Sequence, residues 1–237
     1  MILEVKSLKK AFGGIIAVND LDMMIAEGEI IGLIGPNGSG KTTTFSLISG
    51  YLTPDNGRIL YDGVDITGLK PNRICQLGIA RTFQLTKPFT NMTALENLMV
   101  GRLYGGGASS MKKAAEECEE ILDYVGLGGK GRLMANRLGV VDRKRLEIAR
   151  ALATKPKILL LDEMMSGLTP AEMDATLELV KEIHRSGITL IVVEHVIRAI
   201  LQVSNRLFVL NYGKKIAEGD PTEVISDSKV VEAYLGN

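Results

Sequence analysis

The strongest chemical signal in the chain is GPNGSGKTT, Gly35 to Thr43. It fits G-x-x-x-x-G-K-[ST], follows the apolar run Glu29–Ile34 and precedes a helical pattern, which is the context a phosphate-binding loop needs. Gly35, Gly38 and Gly40 allow consecutive N–H groups to turn toward phosphate oxygens, and the following helix presents its positive N-terminus to the same anion. Lys41 has the reach and charge for β- and γ-phosphates, and the Thr42 hydroxyl suits Mg²⁺. Pro36, Asn37, Ser39 and Thr43 belong to the same candidate site. The plain rival is a glycine-rich turn with an incidental lysine.

A second signal is KILLLDE, whose apolar residues bury a strand and deliver Asp162 and Glu163 to its C-terminal end, where α/β sheets place ligands. Asp162 is expected to hold a metal through water, and Glu163 to polarise a water attacking a phosphoryl group. Two acids closing a strand also occur as solvated loop residues. His195 follows TLIVVE, another buried run ending near the same edge. A lone histidine there is more often structural than a γ-phosphate ligand, so both readings stand. Gln84, in RTFQ, has an amide able to join metal or water, although a loop glutamine usually does nothing. His184, in a charged helical stretch, reads as a surface residue.

These residues need a sheet to bring them together. Strand patterns occur at Leu3–Val5, Asp22–Ile25, Ile30–Ile34, Arg58–Tyr61, Ile158–Leu161, Thr189–Val193, Leu207–Asn211 and Lys214–Glu218. Helical patterns at Thr42–Ser49, Lys144–Ala153, Ala171–Ser186 and Ile197–Val203 alternate with them, as in a sheet covered by helices. The apolar strands suit a buried parallel sheet, whereas the antiparallel-looking pieces sit mainly in the first sixty residues. Ala94–Val100 and Met111–Val125 are helical and bordered by YGGGASS and GLGGKGR. Such joints suggest a helical subdomain over 88–139, inserted into a core made of 1–87 and 140–237. A pair of ordinary surface helices is the alternative.

Composition narrows the field. The 237 residues suffice for one α/β domain, and 28 basic residues balance 28 acidic ones, so no global field favours nucleic acid or an anionic membrane. Cys75 and Cys118 lack metal-ligand spacing and read as reduced thiols, and with two histidines zinc is not expected. The opening MILEVKSLKKAFGG lacks the features of a secretion signal, and no apolar run reaches the roughly 20 residues of a membrane span. A cytosolic protein is expected, with any membrane role exercised through another polypeptide.

In this order and spacing, GPNGSGKTT, RTFQ, RLEIARAL, KILLLDE, SGLTPAE and VVEH resemble the ATP-binding subunits of ABC transporters over essentially the whole chain. FGGIIAVND, GLKPNRICQLGIARTFQ, TALENLMVG and KVVEAYLG resemble more closely the ATPases of branched-chain amino acid importers. Importers of amides or urea share these features. The resemblance implies an α/β P-loop ATPase core with an N-terminal antiparallel β part and an inserted helical subdomain. It implies ATP and Mg²⁺ as cofactors, and Phe12 stacked on adenine with Val18 beside it. Gln84 would link metal and water to the helical subdomain, His195 would touch the γ-phosphate, and Ser166–Thr169 would let two sites communicate. The implied setting is the cytoplasmic face of the membrane. The partners would be transmembrane permease subunits, a second ATP-binding subunit packed head to tail and, indirectly, an external solute-binding protein.

One stretch departs from the family. Its L-S-G-G-Q signature, which would meet the partner's ATP through the residues now at Gly139 and Asp142, reads here Leu138-Gly139-Val140-Val141-Asp142. If Val141 needs a glycine-like backbone, the cost is roughly 1–3 kcal/mol. Loss of the serine hydroxyl at Gly139 removes a bond worth roughly 1.5–3 kcal/mol when buried. Either would weaken ATP-driven closure about tenfold or more. A regulatory nucleotide-binding subunit with impaired hydrolysis is therefore the first rival. A soluble ABC ATPase acting on DNA or ribosomes usually has two cassettes or a long coiled coil, and neither is present. A P-loop GTPase or small-molecule kinase does not explain RLEIARAL. Met164, in place of proline, and Thr169, in place of an acid or amide, are milder departures.

Overall fold

A computed structural model describes residues 1–83, 88–108 and 110–235. Six strands form one sheet, in the order β10 (Lys214–Gly219), β9 (Arg206–Asn211), β3 (Ile30–Ile34), β8 (Thr189–Val193), β7 (Ile158–Asp162) and β6 (Ile79–Arg81). All neighbours are parallel except β9 and β10. A second, antiparallel sheet has the order β2 (Ile15–Ile25), β1 (Leu3–Phe12), β4 (Asn56–Tyr61), β5 (Val64–Asp65).

Strand alternation divides the core in two. Ile31 and Leu33 of β3, Ile158 and Leu160 of β7, and Ile191 and Val193 of β8 point to the face covered by the antiparallel sheet and α1 (Lys41–Ile48). Ile30 and Ile34, Leu159 and Leu161, and Leu190 and Val192 join the opposite cluster, packed with α5 (Val140–Leu152), α6 (Pro170–Arg185) and α7 (Ile197–Val203). Burial on both faces explains the unbroken apolar runs of β3, β7 and β8.

Parallel pairing sets the ends level. Asp162 pairs with Val193, Leu33 with Val193, and Arg81 with Leu160, so the chain leaves β3, β7, β8 and β6 at one sheet edge. That edge is where the candidate chemistry gathers.

The helical region contains α3 (Ala94–Tyr104), entered through a Thr93–Glu96 capping box, and α4 (Met111–Tyr124). Leu98 of α3 and Cys118 and Leu122 of α4 share one cluster with Leu146 and Ile148 of α5, so these helices continue the main core. The glycine stretch after α3 is a packing site as well as a joint. A Cβ on Gly105 would lie 2.8 Å from Thr154 Cγ2.

Several elements differ from expectation. The patterns at Leu3–Val5 and Asp22–Ile25 are the ends of longer strands, whose alternation is hidden where Ser7 and Asp20 take positive φ near register shifts. β6 is only three residues long, too short for a periodic signal, and α2 (Pro71–Leu77) is a seven-residue helix opened by proline. The short α8 (Pro221–Val224) and α9 (Ser228–Leu235) complete the chain. Among the described residues, no helix is long and apolar enough to cross a membrane.

Candidate nucleotide site

The glycine-rich loop runs from the end of β3 into α1. At Gly40, the residue before α1, φ is +105° and a Cβ would lie 2.3 Å from Ala17 O, so a side chain is excluded by both backbone angle and space. No side chain caps α1 and no acid occupies its first turn, which leaves its N-terminal amides available to an anion. Asn37, Gly38 and Thr42 are exposed, Pro36 and Thr43 half-buried, and Gly35, Ser39 and Lys41 buried. Lys41 is folded back: its Nζ donates to Gly35 O at 2.7 Å and Pro36 O at 2.9 Å. Burial lowers the Lys41 pKa, opposed by the negative charges of Glu163 and Asp162. The lysine and the acid pair, distant in sequence, thus share one electrostatic neighbourhood.

Asp162 is 1% exposed, and its Oδ2 accepts from Arg81 Nη2 at 2.8 Å. Its backbone N–H donates to Thr82 Oγ1 at 3.0 Å, whereas Oδ1 has no hydrogen-bond partner among the described residues. Burial raises the Asp162 pKa, and Arg81 opposes the rise. Sequence reasoning missed Arg81; the available signal was a charged residue directly after the apolar pair Ile79–Ala80 in GIARTFQ. Its guanidinium also donates to Ser46 Oγ at 3.0 Å and lies over the rings of Phe45 and Phe83.

Glu163 is 8% exposed and held at φ 51°, a left-handed conformation that is uncommon for glutamate, while its N–H donates to Val193 O at 2.9 Å. His195 Nε2 donates to Glu163 Oε1 at 2.6 Å. The structure therefore brings together the carboxylate expected to polarise a water and the histidine expected to touch the γ-phosphate. The neighbouring Glu194 is buried, and its Oε1 accepts from Met165 N–H at 2.7 Å. Burial pushes its carboxyl up to about 7 from 4.5, against the pull of Met165 N–H and Lys144.

That shift has a testable sign. Between the two values the folded state binds the extra proton, so this contribution to stability is complete below 4.5 and lost as pH rises through about 7. Glu194→Gln keeps an acceptor for Met165 and removes the titration. Thermal melts across pH 4–9 should show the variant gaining on the parent above 4.5 and levelling off above about 7, a relative gain of roughly 3 kcal/mol. A constant difference would exclude Glu194 as the source.

Phe12 ends β1 and is 46% exposed, open to a stacking partner. Val18 does not share this setting: it is 0% exposed in the core, leaving no accessible side-chain surface for a nucleotide. Gln84 lies outside the described residues. Thr169 caps α6, its Oγ1 accepting from Glu172 N–H, so its departure from the family has a structural use. His184 is half-buried, and its Nε2 donates to Gly28 O at 2.7 Å, tying α6 to the turn before β3.

The signature stretch corrects two expectations. α5 starts at Val140, not Lys144, and Val141 sits in its first turn without positive φ, so the anticipated glycine-like strain is absent. What remains is side-chain bulk. Asp142 is held by Lys130 Nζ at 2.6 Å, and an ionised carboxylate accepts hydrogen bonds only, so it cannot donate to a phosphate oxygen. Gly139 is extended and precedes α5, and a Cβ there would meet nothing within 4 Å. Serine therefore fits without displacing anything and would cap the helix, a gain of a few tenths of a kcal/mol over glycine. Gly139→Ser combined with Val141→Gly should raise ATP turnover about tenfold, with a small fall in melting temperature because glycine in the first turn of α5 costs more than the new cap gains. Unchanged phosphate release would show that the altered turn costs nothing.

Among the described residues, none of Gly139 to Asp142 lines the cavity of about 770 Å³ that includes Thr42, Arg81 and Asp162. This cavity continues past Phe83 to Tyr104 and Thr154, joining the acid end of β7 to a groove beside the helical region.

A phosphate loop after β3, paired acids at the end of β7, a histidine beyond β8 and a helical region that continues the core define the ATP-binding cassette of an ABC ATPase. The chain belongs to this family: the ABC transporter profile matches residues 18–166, and the branched-chain amino acid ATP-binding cassette transporter profile matches 214–237. Its relatives include the high-affinity branched-chain amino acid transport ATP-binding proteins BraF of Pseudomonas aeruginosa and LivG of Escherichia coli K12. Each is 36% identical, the match covering 99% of this chain and 98% of the relative. A probable LivG of Archaeoglobus fulgidus is 36% identical over 99% of this chain and 95% of its own length.

Among solved structures, a nucleotide-free ATP-binding cassette superposes with TM-score 0.92 and 33% identity over 100% of this chain and 99% of that one. An ADP conformation of an ABC transporter cassette gives TM-score 0.91, 33% identity and the same coverage. A dimeric bacterial cassette gives 0.84 at 27% identity, over 92% of this chain and 98% of that one. Proteins of this family are nucleotide-binding ATPases coupled to transport, working as dimers with membrane permease subunits.

Proposed function

We propose that this chain binds ATP with Mg²⁺ and hydrolyses it to drive an importer of branched-chain amino acids from the cytoplasmic face of the membrane. The observation that carries the solute class is full-length similarity to BraF and LivG together with the matching C-terminal segment, residues 214–237. An external solute-binding protein is the indirect partner in this reading, and nucleic acid has no part.

The residues support the following division of work. The loop amides from Gly35 to Thr43 and the N-terminus of α1 bind the phosphates, and Lys41 exchanges its loop carbonyls for phosphate oxygens. Asp162 and Thr42 are fitted to hold Mg²⁺, since Asp162 Oδ1 is a buried carboxylate oxygen without a hydrogen-bond partner among the described residues and both residues line one cavity. Gln84 completes this set in the family pattern. When bound, the ion neutralises charge on the β- and γ-phosphates. Glu163 orients and polarises the attacking water, and His195 holds Glu163 and contacts the γ-phosphate. Phe12 stacks on adenine. The signature turn at Gly139 completes the site of a second copy or a similar subunit, and the groove around Phe83 and Tyr104 receives the permease. Core 1–87 with 140–237 and helical region 88–139 are the units that move against each other.

The test is Mg²⁺-dependent ATP hydrolysis by the purified chain, alone and with its membrane subunits in vesicles, with leucine uptake measured in parallel. Hydrolysis without leucine transport but with amide or urea transport would reassign the solute. Tight ATP binding without turnover in either setting would favour a regulatory subunit, the second reading supported by Gly139 and Val141.

A further inference from the structure

Three basic residues follow one another near the entry of α5, and each reaches a different place. Arg143 Nη2 donates to Asn136 O at 2.8 Å, and Arg145 Nη1 to Gly126 O at 3.4 Å, so both hold the turns before the helix. Lys144 crosses to the catalytic side, where its Nζ donates to Met164 O at 3.0 Å and Ser166 O at 2.7 Å. Between those carbonyls, the Met165 N–H donates to Glu194. Glu194 adjoins His195, and His195 holds Glu163, the residue immediately before the tethered segment.

A closed path of hydrogen bonds and peptide links therefore connects the signature turn to both hydrolytic residues of the same chain. Its ammonium is a compact charge that binds two carbonyls at once, which fixes the direction in which the segment leaves β7. Glu163 needs such support, because its left-handed backbone persists only where the surroundings over-determine it.

We propose that Lys144 is a positioning residue that couples the entry of α5 to the orientation of Glu163. Displacement of the signature turn, which meets the partner's nucleotide, is thereby transmitted to this chain's own Glu163–His195 pair. Lys144 touches neither nucleotide nor water; it acts through the Met164 and Ser166 carbonyls. This role rests on the reading of Glu163 as the residue that activates water.

The experiment compares Lys144→Met, Lys144→Arg and the exposed-surface control Lys112→Met in the full chain, following steady-state ATPase kinetics, ATP affinity, melting temperature and amide hydrogen exchange over 162–169. Lys144→Met is expected to lower kcat about tenfold with KM and ATP affinity within about twofold, and to speed exchange across 162–169. Lys144→Arg should recover most of kcat, and Lys112→Met should match the parent. Unchanged kcat with faster exchange would overturn the coupling, as would a loss that tracks the melting temperature and is not rescued by arginine. If the parent chain shows no turnover that Glu163→Gln removes, the reading of Glu163 fails instead. Exchange over 162–169 then decides the tether, and its failure to change in Lys144→Met would overturn that too.

Discussion

Glu163→Gln is expected to abolish measurable steady-state turnover, lowering kcat by about 10²–10⁴-fold, while ATP remains bound. The substitution preserves length and an oxygen acceptor for His195 Nε2, so the 2.6 Å contact and the backbone bond from Glu163 N–H to Val193 O both survive. In the proposed mechanism the lost property is the negative charge that would draw a proton from water as its oxygen attacks phosphorus. Retained affinity is expected because in the proposed mechanism the loop, Lys41 and the N-terminus of α1 hold the phosphates, and none of these is altered. Phosphate release and equilibrium ATP binding, measured on the same preparation, separate the two. A kcat within about threefold of the parent would mean that water is activated elsewhere and that Glu163 serves to position His195.

Arg81→Met is expected to destabilise the fold by about 3–5 kcal/mol, because it leaves a buried carboxylate without its counter-charge. Arg81 and Asp162 have side chains 7% and 1% exposed, so water cannot easily replace the lost partner. Methionine fills much of the space between the rings of Phe45 and Phe83, which limits the cavity component of the loss. For a chain of this length the melting temperature falls by roughly 10 °C. Arg81→Met with Asp162→Asn recovers a large part of this loss, since no charge is then buried. Chemical denaturation of both variants and of Asp162→Asn closes the double-mutant cycle, and additive losses would exclude coupling between the two groups.

Much of the fold was legible because its signals are contiguous. The phosphate loop, the apolar strands near Ile30, Ile158 and Thr189 and the acids after Leu161 occupy short unbroken runs whose composition is dictated by burial or by backbone geometry. Where a strand contains a register shift, as β1 and β2 do near Ser7 and Asp20, the alternation breaks and only its ends are recognisable. Val141 illustrates the opposite failure. Comparison with a glycine pattern suggested strain, yet the residue lies in the first turn of α5, where a β-branched side chain is tolerated.

By itself the sequence determined the glycine-rich loop after β3, the buried strands and the acids that close β7, because phosphate binding and strand burial each require particular residue types at fixed local spacing. Tertiary structure alone decided what surrounds them: Arg81 on Asp162, Lys144 on the carbonyls of Met164 and Ser166, Glu194 on Met165, and Lys130 on Asp142. These partners lie on different elements, and their pairing follows from strand order and helix packing. No local pattern records it, since a charged residue looks the same in sequence whether its partner is water or a buried acid.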